Sequence, residues 1–426
     1  MSRSAFRLGP VSGTALYLGA VLGPGVLALP SLAARAAGPA SLLSWLFLLC
    51  ASVPVALTFA ALGARLPDGG GVAVSVARAF GRHAAAPVGW WFLAAVPVGT
   101  LAAALIGGAY VAHAVGGGDA TAAVAAAALL AAAFAANQAG LRVSGRVQLV
   151  LAGLLVLLLV AAVALNLPHL DGGNLTPFAP HGWAAVGGAA SVLFFAFAGW
   201  EAASHLSAEF ADPRRHLRVV TWWTLGIVGA LYLGLAVASV GVLGAAGAAS
   251  DVPLLLLMER AVGGAAPVLT AGAAVLLTFG AISTYIAGAG RLAAALGRDG
   301  GLPRWFDDGT RPGDTPRRGP AVLAVCCAVL GAAAIVFGLD LDALMRATSA
   351  CLAAVTFAGT AAAVRLLGDR PALRAGAVLA AAFTAVVLVF SGVLVLIPVV
   401  LGAAALGYAL AGARRPRTPD AAAGVG

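Results

Sequence analysis

Apolar runs of about twenty residues recur along the whole chain, separated by short polar or Gly/Pro-rich breaks. They fall near 11–36, 41–63, 87–114, 120–139, 147–167, 184–208, 219–244, 267–295, 320–338, 344–366, 373–391 and 393–412. Runs of that length cross a bilayer core as helices, so the pattern predicts an all-α polytopic membrane protein of about 12 transmembrane helices. Shorter patterns punctuate these spans. An amphipathic stretch at 74–80 predicts a surface helix after Pro67-Asp68-Gly69-Gly70-Gly71, and the apolar stretch 252–258 is too short to span. Residues 297–319 read as a long Pro/Gly-rich loop, and 414–426 as a disordered tail.

Composition strengthens the membrane reading: 62% of the 426 residues are hydrophobic and only 10% are charged. In a soluble chain a net charge of +9 would point to nucleic acid; here position matters more than sum. All 25 basic residues are arginine. If the N-terminus is cytoplasmic, 22 of them fall inside and only Arg35, Arg260 and Arg346 outside, so the expected topology has both ends in the cytoplasm. Alanine- and arginine-rich usage without lysine is that of a high-GC bacterium, which makes the expected location a bacterial inner membrane. Cys50, Cys326, Cys327 and Cys351 lie in apolar runs and read as small buried hydrophobes. No metal or cofactor motif is present, and none is expected; His205-Leu206-Ser207-Ala208-Glu209 is not a zinc-protease pattern.

Two spans carry a weak point at the same depth. The first contains Leu22-Gly23-Pro24-Gly25-Val26, where proline removes a backbone donor and the glycines loosen the helix. The sixth contains Ala198-Gly199, followed by Trp200 and Glu201. Five spans separate the starts of these two, so they cross in opposite directions. Interrupted spans at matching places in two inverted halves point to a transporter's substrate site. An unwound span leaves backbone groups unpaired where only a cavity or ligand can meet them. The half-helix starting near Pro24 and Gly25 can hold a carboxylate, and carbonyls near Val21, Phe195 and Ala198 can hold an ammonium. Those charges together suit the head group of an α-amino acid. A packing kink is the bland alternative for either break.

Glu201, His205 and Glu209 are spaced i, i+4, i+8, drift only about 80° around a helix, and climb roughly 12 Å. They are candidates for passing protons between the site and the cytoplasm, Glu201 being the coupling acid; the alternative is that they cap loose backbone or pair with arginines. Ser283 and Thr284 offer hydroxyls for a possible sodium site. Val96, Pro97 and Thr100 in the third span, Phe194, Phe197 and Trp200 in the sixth, and Phe279 in the eighth are candidate pocket-lining residues. An apolar, aromatic lining favours Met, Leu, Ile or Val over cationic substrates.

The break at 22–26 resembles the G-x-G of the amino acid–polyamine–organocation (APC) superfamily. Phe197-Ala198-Gly199-Trp200-Glu201 resembles its F-x-G-x-E in span six, and Glu209-Phe210-Ala211-Asp212-Pro213-Arg214 its E-x-x-[ND]-P-[KR] exit. Pro67-Asp68-Gly69-Gly70 and Arg298-Asp299-Gly300-Gly301-Leu302-Pro303 are similar to its loops. Within the superfamily, the bacterial methionine/branched-chain amino acid exporter group is the nearest in pattern. The resemblance implies a leucine-transporter-like fold: a single transporter domain of two inverted five-helix repeats, about 11–167 and 184–366, plus two extra helices at about 373–412. It implies an amino acid bound by Val21, Gly23, Pro24, Gly25 and Val26 on one side and by Phe195, Ala198, Gly199 and Trp200 on the other. It also implies alternating access and, from the subgroup, efflux by proton antiport. A proton- or sodium-coupled importer and a non-transporting sensor remain as alternatives, and oligomeric state is open. Two departures stand out. Pro24 replaces the Ser or Thr of many relatives, which leaves carboxylate binding to the Gly25 and Val26 amides. No lysine in span five supplies a proton-coupling group.

Overall fold

The computed structural model describes residues 9–66, 71–140, 145–197, 199–200, 210, 212–308 and 316–413. Ala198, Glu201, His205, Glu209 and the tail 414–426 lie outside the described residues. The first span is divided: α1 (Pro10–Val21) and α2 (Gly25–Ala37) are separate helices. Then follow α3 (Ser41–Arg65), the short α4 (Gly71–Phe80), α5 (Ala85–Ala114), α6 (Asp119–Gln138), α7 (Gly145–Ala164) and α8 (Ala184–Phe197). After α9 (Pro213–Ala238) the chain makes a π-helical turn at Ser239–Leu243 and continues into α10 (Gly244–Ala249). The short α11 (Pro253–Val262) takes the place of the non-spanning apolar stretch. Long helices complete the bundle: α12 (Ala266–Asp299), α13 (Arg318–Phe337), α14 (Leu341–Leu366), α15 (Pro371–Phe390) and α16 (Leu396–Ala413).

Local chemistry sets the helix ends. Asp212 and Asp340 accept the backbone N–H of Arg215 and Ala343 at 3.2 and 2.8 Å, capping α9 and α14, and Pro213 opens α9 where its missing N–H does no harm. Among the described residues, ten helical stretches are long and apolar enough to cross a membrane, one of them covering α2 and α3 together. The spans missing from that set are the interrupted ones. α1 and α8 have 12 and 14 residues, about 18–21 Å of helix against a bilayer core of about 30 Å. The chain is thus a multi-pass all-α membrane protein.

α5 runs through the middle, packed by α6, α12, α13, α14 and α16. Lipid removes the hydrophobic drive for helices to associate, so close van der Waals approach holds them. Gly108 shows how close: a Cβ there would sit 2.2 Å from the Ala122 carbonyl oxygen of α6.

Two faces are distinguishable by what ties the helix ends together. On the arginine-rich face, Arg65 pairs with Asp369, Arg365 donates to Ala79 O at 3.1 Å over the Phe80 ring, and Trp90 donates to Gly301 O at 2.8 Å. On the opposite face, Arg35 meets Asp251 at 3.3 Å and Asn166 donates to Leu257 O of α11 at 2.9 Å. The cysteines are all free thiols. Cys327 and Cys351 are buried as expected, but Cys50 is exposed, a correction with a simple cause: beside lipid an apolar side chain needs no protein interior.

Candidate functional site

The α1–α2 break is a true discontinuity. Leu22 N–H still reaches back to Leu18 O at 2.7 Å, but Gly23 N–H turns to Val21 O at 2.9 Å. Val26 and Leu27 N–H then begin a new ladder on Gly23 O and Pro24 O, at 3.3 and 3.0 Å. Pro24 supplies no N–H, and no side chain caps α2. Among the described residues, the Gly25 N–H therefore donates to nothing and the Leu22 carbonyl accepts from nothing. A helix N-terminus and an open carbonyl lie within one short stretch of buried chain.

The second break follows Phe197, the last residue of α8. Gly199 has φ +141°, a backbone conformation that L side chains rarely adopt, so the helix cannot pass through it unaltered.

Tyr232 of α9 brings the two breaks together. Its Oη lies 2.9 Å from Val21 O and 3.2 Å from Ala196 O, so one phenol proton is shared between carbonyls at the ends of α1 and α8. Trp45 and Phe197 box the ring at 5.3 and 5.6 Å between centroids. On the other side of the first break, Phe195 crosses the start of α2: a Cβ on Gly25 would lie 2.9 Å from its Cδ1. Both breaks are wrapped in buried apolar side chains, with Val21, Leu22, Val26 and Phe194 at 1–2% exposure.

The pattern of the amino acid permease family matches residues 8–410. The chain belongs to this family. The uncharacterized amino acid permease YecA of Bacillus subtilis is 34% identical over 401 residues, 93% of this chain and 94% of its own. The L-methionine/branched-chain amino acid exporter YjeH of Escherichia coli is 33% identical over 243 residues, 56% of this chain and 57% of its own. The branched-chain amino acid permease BcaP of Bacillus subtilis is 26% identical over 317 residues, 70% and 68% of the two chains. These relatives are permeases and transporters, not enzymes.

In the permease, the residues singled out from sequence divide into those gathered at the breaks and those that face elsewhere. Val21, Gly23, Pro24, Gly25, Val26 and Phe195 gather, with Gly199 and Trp200 at the second break. Val21 O already accepts from Gly23 and Tyr232, which leaves Leu22 O as the open carbonyl. The indole Nε1–H of the buried Trp200 has no partner among the described residues. Phe194 turns to Phe383 of α15 at 6.2 Å, and Phe197 to Trp45 and Tyr232.

Val96 packs instead in a second apolar cluster with Ile282, Ile286 and Leu323, against which Phe279 also rests. Thr100 donates to Val96 O at 2.8 Å and touches Cys327 Sγ at 3.4 Å. The α5 residue at the breaks is Gly99, one position away: a Cβ there would lie 2.9 Å from Thr348 Cγ2 and 3.7 Å from Phe195 Cε2. Thr284 is exposed and gives its hydroxyl to Gly280 O of its own helix at 2.8 Å, while Ser283 Oγ is buried and unpartnered. Ala198, Glu201, His205 and Glu209 fall outside the described residues.

Sequence reasoning missed Tyr232, Gly99 and Thr348. Tyr232 carried one usable signal, a hydroxyl in the middle of an apolar span, where it needs a partner.

Proposed function

We propose that this permease is a secondary active transporter of neutral, mainly hydrophobic L-amino acids such as Met, Leu, Ile and Val, held where the breaks of the first and sixth spans meet. The observation that carries the reading is Tyr232 Oη within 3.2 Å of both Val21 O and Ala196 O, since two kinks made only for packing have no need to share a donor. The free Gly25 N–H at the start of α2 receives the substrate carboxylate, and the open Leu22 carbonyl, with those ending α8, receives the ammonium. The apolar surroundings, Phe195 above all, suit an uncharged side chain. The exporter YjeH and the permease BcaP, both named for branched-chain substrates, support that preference.

In this reading the chain is one domain of two inverted repeats, about 11–167 and 184–366, with two added helices at about 373–412. The arginine-rich face is assigned to the cytoplasmic side of a bacterial inner membrane, and both chain ends are assigned to that side with it. Transport is efflux by proton antiport, with Glu201, His205 and Glu209 as the proton route. Sodium held at Ser283 and Thr284 is the alternative driver. Import through the same site, driven by protons or sodium, is the second reading.

Purified protein in liposomes, assayed for counterflow over a panel of amino acids with and without a pH gradient, tests the proposal. Exchange of labelled leucine and methionine, driven further by the gradient and indifferent to sodium, is the expected result. Binding without exchange would mark a sensor, and exchange unaffected by the gradient or by Glu201→Gln would end the proton reading.

A further inference from the structure

We propose that Gly99 of α5, set against Thr348 of α14 and the Phe195 ring, determines how large an amino acid side chain the permease accepts. The inference rests on the head-group site proposed above. Phe195 reaches from that site to Gly99. Its Cδ1 lies 2.9 Å from the Cβ position of Gly25, and the opposite ring corner, Cε2, lies 3.7 Å from the Cβ position of Gly99. A side chain leaving a head group at Gly25 therefore runs along this ring and ends at Gly99.

Phe195 and Gly99 both keep accessible surface on that path. Between 189 and 197 every described residue of α8 is buried except Phe195; Gly99 is half-buried, as is Val98, while Val96, Pro97 and Thr100 are buried. Thr348 forms the far wall. Its hydroxyl is tied to Leu344 O at 2.9 Å, which fixes the rotamer and holds the methyl toward Gly99. That methyl lies 2.9 Å from the Gly99 Cβ position. An added Cβ therefore pushes on a wall that cannot turn away, and it fills the space 3.7 Å from the Phe195 ring.

Counterflow in proteoliposomes with alanine, valine, leucine, methionine and phenylalanine tests this. Gly99→Ala is expected to lower leucine and methionine exchange about tenfold relative to alanine, the usual worth of a methylene in an apolar pocket. Adding Thr348→Ser, which removes the opposing methyl, restores the wild-type order, and Thr348→Ser alone raises phenylalanine relative to leucine. If Gly99 serves only close helix packing, Gly99→Ala lowers all substrates equally and Thr348→Ser leaves the order unchanged, which overturns the proposal. Should Gly99→Ala fail to insert, Thr348→Ser alone decides, and an unchanged phenylalanine-to-leucine ratio counts against it. A wild-type protein that exchanges nothing in the panel would instead overturn the transport reading itself, before any variant is compared.

Discussion

The helix pieces that flank the breaks are not held alike. On the face opposite the arginines, α2 and α8 are bolted to their surroundings by polar links. Tyr110 donates to Leu27 O at 2.9 Å and Arg35 to Ala248 O at 3.1 Å. Ser44 donates to Val186 O at 2.7 Å, Arg346 to Gly188 O at 2.6 Å, and Ser191 meets Ser391 at 3.4 Å. On the arginine-rich face, the described contacts of α1 include Gly13 and the Tyr17 ring against Phe210, and Val220 beside Gly13. At its far end Tyr232 of α9 holds Val21 O. Directional bonds have one good geometry, whereas apolar surfaces slide at little cost. The difference teaches that α2 and α8 are held in place on that face by bonds with one good geometry, while Tyr232 ties the end of α1 to α9 at the break itself.

The comparison can be broken in a graded series. Gly25→Ala has the largest expected effect, because its Cβ would lie 2.9 Å from Phe195 Cδ1 and 3.0 Å from Leu29 Cδ1. Overpacking of this kind costs about 1–3 kcal/mol, so leucine counterflow should fall by roughly five- to a hundredfold. Tyr232→Phe keeps the ring but removes the donor shared by both breaks. A buried hydrogen bond is worth about 1 kcal/mol net, so counterflow should fall several-fold, with both half-helices exchanging amide hydrogens faster.

Arg346→Gln sharpens the contrast rather than breaking it. The guanidinium bridges Asp342, at 2.5 Å, and Gly188 O. Its loss should speed amide exchange in α8 while leaving α1 unchanged. The smallest effect belongs to Asp369, exposed on the arginine-rich face, where Arg65 holds its carboxyl below the usual carboxylate range. A lowered carboxylate pKa supports the fold above the unfolded value and withdraws that support as pH falls through the folded one. Asp369→Asn should therefore melt slightly below wild type at neutral pH and equal to it well below pH of about 4, because exposed pairs contribute little.

The breaks were legible in the sequence because Gly23-Pro24-Gly25 sets a missing donor between two glycines and Gly199 admits a positive φ, although Pro30, Pro54, Pro97 and the Gly107-Gly108 pair stay inside helices. The spans were legible because bilayer thickness sets their length. Facing was not legible. α5 is apolar all round, so periodicity could not say that Gly99 rather than Val96 or Thr100 turns to the breaks; its neighbours α8 and α14 decide that. Tyr232 lies 211 residues from the carbonyl it holds, a pairing no local pattern encodes. Cys50 shows the limit of apolarity as a sign of burial once lipid is the solvent.

An experimental density map of the protein with leucine bound tests the central claim most directly. The account predicts leucine between the two breaks, its carboxylate on the Gly25 N–H, its ammonium near Leu22 O and its side chain along Phe195. Leucine resting elsewhere, or breaks standing apart with Tyr232 touching neither, would contradict it.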